Sequence, residues 1–100
     1  MNAEEAIALI RRHEAELRRL GVQSLSLFGS TARGEAAARA DIDVAVKLED
    51  IAGGFATFGR LDRIRERLGH VLQARVDVVL EPAEPGVMRT AVEKDRRVAF

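Results

Sequence analysis

The sequence predicts one α/β (α+β) domain, residues 1–100, built as a mixed β-sheet flanked by helices. Three observations point there. Apolar residues recur at helical spacing in some stretches, and alternate or form short runs in others. The two patterns take turns along the chain, the arrangement expected of strands layered against helices in two or three layers. The length supports a single core, and no repeat, low-complexity stretch or long linker divides it.

The elements follow in order. Asn2 can cap a helix, with Glu5 completing a capping-box-like arrangement. Ala6, Ile7, Ile10, Leu17 and Leu20 carry the helical apolar stripe, and Gly21 is expected to end it. Ser24 to Leu27 alternates as a first strand and runs into Gly29-Ser30. Thr31 to Arg33 reads as one helical turn, and Glu35 to Ala40 as a loop. Ile42 to Leu48 is the second strand. Gly53-Gly54 breaks the chain before a helix whose stripe is Phe55, Phe58, Leu61, Ile64 and Leu68; both phenylalanines are expected in the core, and Gly69 at the helix end. Val76 to Leu80 is a third strand whose one charge is Asp77. Pro82 and Pro85 bound a turn, Met88 to Glu93 forms a short helix, and Val98 to Phe100 a last short strand.

Composition excludes several classes. There is no cysteine, so no disulfide or thiolate metal site, a usage compatible with the cytoplasm. No apolar run approaches the roughly 18 residues of a membrane span, and the polar, capped start does not read as a secretory signal. Formal net charge is zero, and Phe is the only aromatic residue type. A domain that grips nucleic acid directly is usually basic and supplies stacking platforms, so direct nucleic-acid binding is not expected.

The chemistry concentrates in Leu27-Phe28-Gly29-Ser30-Thr31-Ala32-Arg33-Gly34 and Ala40-Asp41-Ile42-Asp43-Val44. Asp41 and Asp43, two residues apart at a strand, project to the same face. Carboxylates held so close resist joint ionisation unless a cation sits between them. Mg²⁺ suits such a pair, because it binds through one or two carboxylates and completes its shell with substrate phosphates. The Gly29-Ser30 turn supplies backbone N–H groups and a hydroxyl for those phosphates. Asp77 must face water or find a partner, since burying an acid alone is costly. If its strand pairs beside the second, all three acids can converge. Arg33 could be a surface charge, but the preferred reading sets it at the β- or γ-phosphate, stabilising the leaving pyrophosphate with its guanidinium fork. His13 and His70 have no companion at ligand spacing and read as structural or surface residues. The arginines at 11, 12, 18 and 19, and at 60, 63, 65 and 67, read as solvated helix faces.

Gly29-Ser30, Ala32-Arg33-Gly34 and Asp41-x-Asp43 together resemble the signature of the minimal nucleotidyltransferases, a branch of the DNA polymerase beta-like nucleotidyltransferase superfamily. The order of elements resembles that family from near Ala3 to Phe100. One departure is Ala40, where such proteins often have Ser before the first aspartate. The resemblance implies a nucleotidyltransferase fold with Asp41, Asp43 and Asp77 as catalytic and metal-binding acids for two Mg²⁺ ions, Asp77 also assisting deprotonation. It implies nucleotide binding at Gly29, Ser30 and Arg33. Minimal nucleotidyltransferases of this size resemble the antitoxin half of prokaryotic HEPN/MNT toxin–antitoxin pairs. That implies transfer of AMP from ATP to a tyrosine of a HEPN ribonuclease toxin. Three other readings stand beside it: an antitoxin that acts by contact alone, a transferase for a small molecule such as an aminoglycoside, and a subunit whose metal is structural.

Overall fold

The structure, a computed structural model, describes residues 1–34, 41–49 and 55–100, without the side chains of Phe55 and Ala56. The expected loop at 35–40, the residue before the first aspartate, the Gly53-Gly54 break and the core position of Phe55 fall outside that set.

Asn2 caps α1 (Ala3–Arg12), its Oδ1 accepting from the Glu5 amide at 2.8 Å while its amide group donates to the Glu5 carboxylate. The expected single N-terminal helix divides at His13, whose backbone closes α1 and opens α2 (Glu14–Arg19). Gly21 ends this pair with φ of +100°, a conformation that L side chains rarely adopt. Then come β1 (Val22–Phe28), α3 (Gly29–Ala32), β2 (Ile42–Leu48), α4 (Phe55–Leu72), β3 (Val76–Leu80), α5 (Val87–Asp95) and β4 (Arg97–Val98).

The four strands form one mixed sheet in the order β3-β2-β1-β4. β1 runs antiparallel to both β2 and β4, whereas β2 and β3 are parallel, with α4 lying between them in the chain. One face is the main core: Leu25, Leu27, Ile42, Val44, Val46 and Leu48 pack against Ile10 and Leu17 of α1 and α2 and Ile64, Leu68 and Leu72 of α4. The other face is covered in part, where Val92 of α5 meets Phe28 and Ala45. Helices thus flank both faces, as the alternating patterns predict.

Three expectations are corrected. Phe58 is 73 % exposed. Two successive three-residue steps each fall short of a full turn, so Phe58 has rotated by about 120° from Ile64 and left the buried stripe. Gly69 does not end α4, and His70 lies within it. The helix ends three residues later, where Gln73 takes φ of +52°, the Ala74 amide donates to the Gly69 carbonyl at 3.2 Å, and the Gln73 side chain donates to the His70 carbonyl at 2.7 Å. That is a Schellman closure made without glycine. The last strand is Arg97–Val98, not Val98–Phe100; Ala99 and Phe100 continue alongside β1 and exchange backbone bonds with Leu25.

Candidate active site

Gly29 is the hinge of the site. The chain leaves β1 at Phe28 and enters α3 through Gly29 with φ of +73°, and a Cβ built there would overlap Oδ2 of Asp43. The register explains why: Phe28 is the antiparallel partner of Asp43, so the turn begins directly over that carboxylate. Glycine is required for both its φ and its bareness. Ser30 follows, half-buried, and Arg33 caps the C-terminal end of α3.

Asp43 has Asp77 as its in-register parallel partner. Their side chains share the sheet face opposite the main core, because Ile42 and Val44 on either side of Asp43 point into that core. Asp41, two residues earlier, immediately precedes β2 and projects the same way by alternation. Asp41 and Asp43 are half-buried and Asp77 is exposed. None of the three makes an ion pair or side-chain hydrogen bond with a described residue. Burial, followed by the charges of Asp77 and Asp41, pushes the Asp43 carboxyl above the usual aspartate range, against a smaller opposing pull from Arg33. Asp43 therefore feels both other acids, and Arg33 is close enough for its charge to reach Asp43.

Arg33 donates from Nη1 to Oδ2 of Asp95 at 2.7 Å, which ties α3 to the end of α5. Sequence reading missed Asp95. Its expected helix stopped at Glu93, and nothing local links positions 33 and 95. His13 lies 3.7 Å from Glu16 on α2, and His70 is exposed on α4. Arg67 pairs with Glu16 across α4 and α2. Elsewhere, a cavity of about 370 Å³ ringed by Arg18, Arg19, Arg60 and Arg63 opens beside Gly21, at the other end of β1 from Gly29.

The donor set fits a divalent cation. Among the described residues, no three His, Asp or Glu side chains stand close enough together to enclose an ion unaided. Three carboxylates without an ion pair among the described residues, two of which raise the proton affinity of Asp43, nevertheless stand beside a bare glycine turn and form an open oxygen set of the kind Mg²⁺ uses when phosphates complete its shell.

Such a turn over strand-borne acids, on a four-stranded mixed sheet, defines the class as nucleotidyltransferase-like. The family model for the nucleotidyltransferase domain matches residues 10–99, and the chain belongs to that family. It is 31 % identical over 96 residues to the protein adenylyltransferase MntA of Thermococcus cleftensis, a match that covers 94 % of this chain and 93 % of that one. A solved structure described as a minimal nucleotidyltransferase superposes with a TM-score of 0.76 at 28 % identity, covering 97 % of this chain and 95 % of that chain. A complex of a tri-AMPylated Shewanella oneidensis HEPN toxin with its MNT antitoxin gives a TM-score of 0.61 at 23 % identity, covering 94 % and 71 %. At that identity the likeness speaks for the fold.

Proposed function

We propose that this nucleotidyltransferase moves AMP from ATP to a hydroxyl of a protein partner, a tyrosine of a HEPN ribonuclease toxin, and so acts as its antitoxin in the cytoplasm. The observation that carries the proposal is the register that sets Asp43 beside Asp77 beneath the Gly29 turn. The relation to a protein adenylyltransferase supports the choice of a protein acceptor. The AMPylated HEPN toxin bound by a structural neighbour supports the choice of partner.

In this reading Asp41, Asp43 and Asp77 hold Mg²⁺. The bound metal supplies charge compensation for the triphosphate and makes the acceptor hydroxyl more acidic. The Gly29 turn and the Ser30 hydroxyl hold phosphate oxygens. Asp77, the most exposed acid, accepts the proton of the acceptor hydroxyl. The acceptor oxygen bonds to the α-phosphorus as the bond to the β-phosphate bridging oxygen breaks. Pyrophosphate leaves, and Arg33 bears its charge. Positioning and fixed charge supply most of the acceleration in such a transfer.

The test is incubation of the purified chain with ATP, Mg²⁺ and its cognate HEPN protein, read by intact-mass spectrometry. The partner should gain one or more AMP units, and the Asp43→Ala variant should add none. If Asp43→Ala protects cells from the toxin while the partner mass stays unchanged, contact and not chemistry is the antitoxin mechanism.

A further inference from the structure

Asp95 sits against two local rules. It is the last residue of α5, where the helix backbone presents negative partial charge, and its side chain is only 7 % exposed. A carboxylate there is disfavoured by the dipole and by loss of water. Its ion-pair partner is Arg33, 62 residues away in the chain. Arg33 in turn follows α3, whose first residue lies over Asp43, and its charge reaches that carboxylate, one of three acids that have no ion pair of their own among the described residues. A guanidinium beside such acids tends to close onto one of them with two parallel hydrogen bonds. That closure would put a fixed cation where a divalent metal has to enter. In the structure, Nη1 goes to Asp95 instead.

We propose that Asp95 is a positioning residue for Arg33: its carboxylate anchors the guanidinium on the α5 side of the site and keeps it from closing onto Asp41 and Asp43. The acids stay open to metal, and the arginine charge stays where the phosphates of a nucleotide arrive. This rests on the metal-nucleotide reading given above. It assigns the ion pair a duty beyond bracing α3 against α5.

Mn²⁺ binding to the full chain without nucleotide, followed by electron paramagnetic resonance, tests it apart from activity. Asp95→Asn should weaken Mn²⁺ binding by roughly tenfold or more, because the released guanidinium competes with the metal for the same carboxylates. Adding Arg33→Ala to that variant should restore wild-type affinity, because the invading cation is gone. Asp95→Glu, which keeps the anion, should bind Mn²⁺ much as the wild type does. Unchanged affinity in Asp95→Asn, or a loss that Arg33→Ala does not restore, overturns the proposal and leaves the pair a brace. Should Asp95→Asn fail to fold, Arg33→Ala alone decides. Equal or tighter Mn²⁺ binding with weaker AMP-PNP binding supports the proposal, and weaker Mn²⁺ binding overturns it. A wild-type chain that binds no Mn²⁺ defeats the metal-dependent reading and this proposal together. A wild type and an Asp95→Asn variant that bind equally defeat this proposal alone.

Discussion

Asp43 meets opposing demands, and its substitutions separate them. Its carboxyl is raised on folding by burial and by its acidic neighbours. A carboxyl raised in this way stabilises the fold through its protonated form. That contribution is complete below the unfolded value of about 3.9 and is lost as pH climbs through the raised folded value. In EDTA, Asp43→Asn should therefore melt above wild type near pH 7, and the gap should close towards pH 3.5. A melt that is equal at both pH values would contradict the repulsion. Gly29→Ala should have the opposite effect, since it meets a positive φ and the Asp43 oxygen at once. It should cost about 1–3 kcal/mol in a denaturation curve, with transfer lost as well. Ser30→Ala removes one neutral hydrogen bond and should raise the barrier to transfer by about 0.5–1.5 kcal/mol, whereas Asp77→Ala should nearly abolish transfer. At this scale the Asp41/Asp43 alternation and the Gly-Ser turn were legible, because both are local patterns. The Asp95–Arg33 pair was not, because only the tertiary fold brings those two side chains together.

The strands were legible to within two residues, since period two survives in short windows and the core face of β2 is apolar at every second position. The helices misled where the pattern drifted. A three-residue spacing kept Phe58 in the apparent stripe of α4, although rotation had carried it to solvent. Gly69 looked like a terminus because glycine usually supplies the left-handed residue, but here Gln73 does so. Replacing Gln73 with Gly should relieve that φ and lose one exposed hydrogen bond to the His70 carbonyl. A net stabilisation of up to about 1 kcal/mol is expected by urea denaturation. Within the same helix, Ile64→Ala empties a fully buried site between α4 and the sheet. It should cost about 2–5 kcal/mol by the same measurement.

Across the whole molecule, zero net charge conceals a separation: three acids gather below the Gly29 turn, while four arginines ring the cavity at the opposite end of β1. The core between the two ends is apolar. Chelation should accordingly abolish transfer and lower the thermal transition only by the increment that metal binding to the acids adds through mass action, with a cooperative melt retained because the core between the two ends is apolar. A transition that collapses in EDTA would favour a structural metal. The parallel pairing of β2 with β3 bears on how the chain folds. β1 and β2 can zip together as antiparallel neighbours, but Asp77 reaches Asp43 only after α4 has wrapped and returned the chain to the sheet. Closing that crossover draws two like charges into register, so the driving force must come from Ile42 meeting Val76 and Val44 meeting Val78 on the other face. On this topology the acidic pair is expected to form late in folding. Under the proposed mechanism, chains still emerging from synthesis, or opened locally at β3, lack the third acid and are expected neither to capture metal fully nor to spend nucleotide. Competence for transfer would then report that the crossover is complete.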